Sequence, residues 1–188
     1  ALDSTKYDAW FFYYPSGESI ERSADIFREI FLSGSIIDPR NRSMKIVAHS
    51  MGGLVVRKAL QLIPEHEGID IDFVSLCTPW GGVCDAAYGL TQAPIVIDCW
   101  RDIVPGSQFL KGLHAQALPE GVRFHLVFGY RSRSSRMQAA SDGVVTIRSQ
   151  LDHNAQSEAI GIVGFDETHG SILKSKDAIG WIKTLLGE

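Results

Sequence analysis

Apolar and polar positions along the chain follow two alternating rhythms. Asp8-Ala9-Trp10-Phe11-Phe12-Tyr13-Tyr14 is apolar on both faces and stops at Pro15-Ser16-Gly17, the pattern of a fully buried, parallel-type strand followed by a turn. Ile20, Ala24, Phe27, Ile30 and Phe31 then recur at helical spacing, opposite Glu21, Arg22, Asp25, Arg28 and Glu29, until Ser33-Gly34-Ser35 ends the helix. Met44-Lys45-Ile46-Val47-Ala48 predicts a second strand. A helix over 52–62 follows, with Leu54, Ala59 and Leu62 on its buried face. Pro64 to Gly68 reads as a loop. Ile71 to Cys77 is the next strand, stopped by Thr78-Pro79-Trp80-Gly81-Gly82, and Arg123 to Gly129 and Ala159 to Gly164 are two more. The last helix runs from about Ser175 to Leu186, with Ser175 as N-cap and Asp177 in its first turn. Strands alternating with helices predict an α/β protein with a mainly parallel sheet.

One region departs from this rhythm. From Val83 to Glu120 the pattern breaks into short pieces around Pro94, Pro105 and Pro119, and reads as an insertion into the sheet pattern. Its apolar residues, among them Tyr88, Trp100, Ile103, Phe109 and Leu110, suffice either for a lid over a pocket or for ordinary core. The chain carries no internal repeat or second composition regime, so 1–188 is expected to form a single domain with a cap insertion at about 83–120.

Composition narrows the function classes. Hydrophobic residues at 45% and charged residues at 21% are ordinary globular values. A net charge of −4 gives no basic footprint for nucleic acid, and Arg131-Ser132-Arg133-Ser134-Ser135-Arg136 reads as a solvated loop. Cys77, Cys84 and Cys99 lack C-x-x-C spacing, so no zinc site is indicated; Cys77 reads as a small buried hydrophobe. No apolar run is long enough to predict a transmembrane segment. Nothing assigns a compartment.

The chemistry begins at Ala48-His49-Ser50-Met51-Gly52-Gly53, between a predicted strand and a predicted helix. A serine at that corner is the geometry of a nucleophile elbow, G-x-S-x-G with Ala48 for the first glycine; small flanking residues suit the crowded turn. A serine hydroxyl needs a base, and the base an orienting acid. Functional groups of α/β sheets collect beyond the carboxyl ends of strands. Of six histidines, His169 follows the last strand in a Gly-flanked loop and is the first candidate base, with His114 next. His49 is expected to point away from the nucleophile's side. Asp142 is the candidate acid, although Asp142-Gly143 is also a turn dipeptide, and Asp102 and Asp166 compete with it.

These residues resemble the α/β-hydrolase superfamily, and within it bacterial lipase/esterase-like proteins of the PGAP1-like and lecithin–cholesterol acyltransferase-like branches. Ile46 to Arg57 looks like the elbow, Cys77-Thr78-Pro79-Trp80-Gly81-Gly82 like the turn after the next strand, and Trp100 to Leu110 like the cap segment ending "PGS-x-F-L". Asp142-Gly143-Val144-Val145 and Thr168-His169-Gly170 are similar to the acid and base loops. The resemblance implies a three-layer sandwich and a Ser50–His169–Asp142 triad that hydrolyses carboxylic esters through an acyl-enzyme. It also implies an oxyanion donor at the Met51 amide. Trp80, Trp100 and Phe109 are the candidate substrate-binding residues, the substrate is expected to be a small-molecule or lipid ester, and no metal or organic cofactor is called for. Acyl transfer or thioester hydrolysis on the same triad, and a non-catalytic lipid- or partner-binding role, are the alternatives.

The departure from that resemblance is a central strand with a His-Gly loop carrying the second oxyanion amide. In related proteins it lies between the strands of Phe11–Tyr14 and Ile46–Ala48. The expectation is that a preceding N-terminal segment, or another segment, fills this gap, since two rows of buried, unpaired backbone groups are not viable.

Overall fold

The computed structural model describes residues 3, 5–33, 43–63, 70–132 and 139–187. The predicted loop at 64–68 and most of the basic stretch after Arg131 lie outside them. At the centre stands β2 (Ile71–Leu76), buried at every position. It pairs in parallel with β1 (Met44–His49) and β3 (Val122–Gly129), and β3 pairs in parallel with β4 (Gly161–Phe165). The order is therefore β1-β2-β3-β4.

Alternation along β2 and β3 sorts the core into two layers. Ile71 and Phe73 of β2 and Phe124 and Leu126 of β3 face one side, where α1 (Ile20–Phe27) and α2 (Met51–Leu60) pack with Leu54, Val55 and Leu60. Val74, Leu76 and Val127 face the other side, against Ile172 and Ala178. Ala178 belongs to α8 (Lys176–Leu186), which Ser175 caps by accepting the Ala178 amide and which ends at Gly187 with φ 84°. Helices on both faces of a parallel sheet make the α/β architecture that the pattern predicts, in the three-layer arrangement that the resemblance implies.

Short helices replace the aperiodic stretch after β2. They are α3 (Cys84–Gln92), α4 (Asp98–Ile103) and α5 (Gln108–Ala115). Leu110 and Leu113 of α5 are buried in the main core, so this helix serves as scaffold. Further on, α6 (Ile147–Gln150) and α7 (His153–Glu158) lead into β4. Cys84 and Cys99 are both free. Among the described residues no helix is long and apolar enough to cross a membrane.

The first predicted strand is not a strand. Among the described residues, 8–14 belong to no ladder, because no described backbone lies beside them to complete one. Phe12 packs edge-on against Phe27 and Phe31, whereas Phe11 and Tyr13 are 92% and 100% exposed. A groove of about 800 Å³ separates this segment from β1.

The elbow helix rests closely on the turn after β2. A Cβ on Gly53 would stand 2.1 Å from Thr78 Oγ1 and 2.7 Å from its Cγ2, while one on Gly52 would meet ordinary contacts of 3.8 Å and 3.9 Å. The crowded glycine is thus Gly53, one residue beyond the motif. Gly53→Ala is expected to cost about 1–3 kcal/mol in urea unfolding, with Gly52→Ala costing less.

Candidate active site

Ser50 joins β1 to α2 with φ 55° and ψ −133°, a conformation disfavoured for a residue bearing a side chain. The surroundings fix it: the Ser50 amide donates to Leu76 O at 2.8 Å, and the Gly53 amide donates to Ser50 O at 3.0 Å. Met51 opens α2, so its N–H is among the amides without a carbonyl partner inside the helix.

His169 lies in the loop after β4, and its imidazole bridges two groups. Its Nδ1–H donates to Asp142 Oδ2 at 2.7 Å, which leaves Nε2 to accept the Ser50 hydroxyl at 2.9 Å. Asp142 Oδ1 accepts the amides of Val144 at 2.9 Å and Val145 at 2.7 Å. The carboxylate is therefore both a turn residue and the histidine's partner. Burial pushes its pKa up, but the imidazole and the two amides outweigh that and hold it below the ordinary range. A further bond, from the His169 amide to Asp142 O at 2.8 Å, couples the two loops through the backbone. Gln150, almost wholly buried, ties the acid loop to β3: its Oε1 accepts the Gly129 amide at 3.0 Å, and its Nε2 donates to Val145 O at 3.0 Å.

The other candidates lie elsewhere. His114 donates or accepts nothing at Ser50; its Nε2 bonds Trp80 O at 2.9 Å. Asp102 Oδ2 accepts the Ile20 amide at 2.7 Å at the start of α1, and Asp166 pairs with Arg131. Trp80 is 1% exposed and sits edge-on against Phe73 and Phe124, so its bulk fills the core beneath the turn and not a substrate wall. Trp100 lies against Gly89 of α3, where a Cβ would come within 2.9 Å of the indole, and Phe109 packs at the margin of the main core.

His49 corrects the sequence reading. It faces the site: its ring centroid is 4.6 Å from that of His169, and its Nε2–H donates to the His169 carbonyl at 2.7 Å. Burial holds its pKa below the ordinary value, favouring the neutral ring. Cys77, directly after β2 with φ 51°, is buried beside Asp142; burial and that carboxylate push its thiol pKa far up. His49, Cys77 and His169 bring potential metal-ligating atoms within 4.8 Å of one another. Both nitrogens of His169 are already committed to Ser50 and Asp142, and a protonated thiol is a poor ligand, so the group fits a hydrogen-bonded cluster better than a metal centre.

No protein-family model matches the chain, and no curated protein matches it significantly. Solved structures do. The chain is similar to phospholipase PlaB from Legionella pneumophila in complex with thio-NAD, at 17% identity and TM-score 0.60, over 76% of this chain and 34% of that one. It is also similar to the mature lipase BlEst2 from Bacillus licheniformis, at 19% identity and TM-score 0.65, over 90% of this chain and 75% of that one. The metagenomic carboxyl esterase MGS0156 matches at 20% identity and TM-score 0.58, over 82% of this chain and 52% of that one. Likeness at this identity shows a shared α/β-hydrolase fold. The chain spans about a third of the length of PlaB.

Proposed function

We propose that the chain carries the active site of a serine hydrolase that cleaves carboxylic esters. One observation supports this reading above the rest: a single imidazole is hydrogen-bonded to a serine hydroxyl on an elbow and to a buried carboxylate. Ser50 Oγ attacks the ester carbonyl while His169 Nε2 takes its proton. Asp142 holds the imidazole in the Nδ1–H tautomer and stabilises the imidazolium. The Met51 amide stands as one donor to the tetrahedral oxyanion. Collapse of that intermediate breaks the ester C–O bond, and His169 returns the proton to the leaving alcohol. Water, activated by the same histidine, then hydrolyses the acyl-Ser50 ester. Fold likeness to a phospholipase, a lipase and a carboxyl esterase favours small-molecule or lipid esters as the substrate class.

A fluorophosphonate probe is expected to label the protein at Ser50, and Ser50→Ala and His169→Ala to lose the label. A folded protein that takes no label would favour a role in binding alone. Chain-length preference on p-nitrophenyl esters from acetate to octanoate reads the acyl site, and product analysis with an added alcohol separates hydrolysis from acyl transfer.

His49 is a positioning residue in this scheme, acting through the His169 carbonyl. His49→Phe keeps a ring against His169 and removes the donor. It is expected to lower kcat about tenfold with KM unchanged, the equivalent of one hydrogen bond of about 1.4 kcal/mol. His49→Gln, which retains an N–H, should recover part of the loss; a structural role alone would leave the kcat-to-KM split unmoved.

A further inference from the structure

The Tyr14 hydroxyl is held beside the elbow helix without a hydrogen-bond partner among the described residues. Its ring stacks on Phe12 with centroids 5.1 Å apart, and Phe12 stands edge-on against Phe27 and Phe31. Just beyond Tyr14 the chain turns and is fastened to the insertion. The Asp98 amide donates to Gly17 O at 3.1 Å, and Asp102 Oδ2 accepts the Ile20 amide at 2.7 Å. The ring is thus fixed by its stack and by the turn that follows it. Burial, with Cys99 adding to it, raises the phenol pKa above its ordinary value, so at neutral pH the group keeps its proton and is a donor.

The position of this donor relative to α2 gives it a use. Tyr14 Oη lies 3.8 Å from where a Cβ on Gly52 would stand, and because that residue is glycine no side chain comes between them. In an α-helix the Cα–Cβ bond leans toward the N-terminus. The hydroxyl therefore sits beside the first turn of α2, where the Met51 and Gly52 amides have no carbonyl partner inside the helix. Tyr14, His49 and Gly52 also line one groove of about 800 Å³, which leaves a substrate room to reach them.

The proposed reaction has a need at this place. Attack on an ester carbonyl puts a negative charge on its oxygen, and Met51 supplies a single amide to it. We infer that Tyr14 Oη is the second donor to the tetrahedral oxyanion, across from the Met51 N–H. This rests on Ser50 acting as the nucleophile. As Ser50 Oγ bonds to the carbonyl carbon, the C=O π pair moves onto the oxygen, and the Tyr14 O–H and Met51 N–H each donate a hydrogen bond to it. Neither proton is transferred. When the ester C–O bond breaks, the pair returns to form the carbonyl of acyl-Ser50 and both hydrogen bonds weaken. A fixed ring suits this role, because a donor already in place needs no reorganisation as the charge develops.

Tyr14→Phe removes the hydroxyl and keeps the stacked ring, so it tests the donor without emptying the core. In the full chain, kcat on a p-nitrophenyl ester is expected to fall about a hundredfold, with KM changed by less than about threefold and thermal unfolding unmoved. A trifluoromethyl ketone, which forms an oxyanion on Ser50, should lose affinity by about the same factor. The matching secondary alcohol, which forms none, should bind parent and variant alike. Unchanged kcat, or a loss carried by KM with ketone and alcohol weakened together, would overturn the inference and leave Tyr14 as a wall of the groove. Fluorophosphonate labelling keeps the two readings apart. A parent that labels at Ser50, beside a Tyr14→Phe variant of undiminished kcat, refutes the Tyr14 role alone. A parent that neither labels nor hydrolyses refutes the nucleophile, and the donor with it.

Discussion

Ser50→Ala is expected to lower ester hydrolysis about 10⁵- to 10⁶-fold in kcat/KM, His169→Ala by a similar factor, and the double variant by no more than either alone. The reason is mechanical. Without the imidazole the hydroxyl keeps its proton, and without the hydroxyl the imidazole has nothing to deprotonate, so each change removes the same step. Asp142→Asn preserves the shape of the acid loop but presents an amide where an acceptor for Nδ1–H is needed. It should cost about 10⁴-fold through the wrong tautomer. Steady-state rates on a p-nitrophenyl ester, alongside unchanged circular dichroism, check all four variants; additive losses would mean that Ser50 and His169 act separately.

In the proposed scheme Asp142 also ties activity to acid stability. Its carboxyl lies below the ordinary 3.8 in the folded protein. A depressed folded value contributes stability that is present above the unfolded value and is lost as pH falls through the folded one. Asp142→Asn should therefore flatten the dependence of stability on pH below about 4.

Local signals were legible in the sequence and distant ones were not. The elbow could be read because strand, small residues and helix are contiguous around Ser50. His169 and Asp142 could be singled out because each follows a strand pattern, and the structure brings both to Ser50. His49 was misread because strand alternation gives the face of a side chain but not what a loop 120 residues away will place there. Gln150 carries no motif, and its partners are the backbone of β3 and of the acid loop. Trp80, a candidate substrate-binding residue in the turn after β2, is legible as an aromatic in that turn, but only its packing on Phe73 and Phe124 shows that the ring turns inward. The segment 8–14 shows the reverse case, a strand pattern with no strand pairing, since a pattern can be intrinsic to a sequence whereas a ladder needs a neighbour.

Arg57→Ala is expected to give the largest loss of stability. Arg57 projects from α2 and is wholly buried. One guanidinium nitrogen pairs with Glu158, another donates to Gln116 O at 3.1 Å, and Nε reaches Leu113 O at 3.4 Å. The guanidinium carbon stands 6.0 Å from the centre of a Trp80 ring. This one side chain thus fastens the elbow helix to the end of α5 and to α7. Alanine removes the cation and leaves the Glu158 carboxylate without its charge partner near a hole beside Trp80, while Gln61 Nε2 still donates to Leu113 O and Gln116 O, a loss of about 3–5 kcal/mol. For a chain of this length that is a fall in Tm of about 6–20 °C, measurable by calorimetry or urea unfolding. Arg57→Lys should rescue little, because an ammonium cannot span three acceptors in one plane. Arg57→Met with Glu158→Leu should recover most of the stability, since it removes the charges together instead of leaving one unpaired. If Arg57→Ala instead unfolds with the parent, the buried guanidinium is not what holds α2 in place, and the closely fitted contact of Gly53 on Thr78 must carry that task.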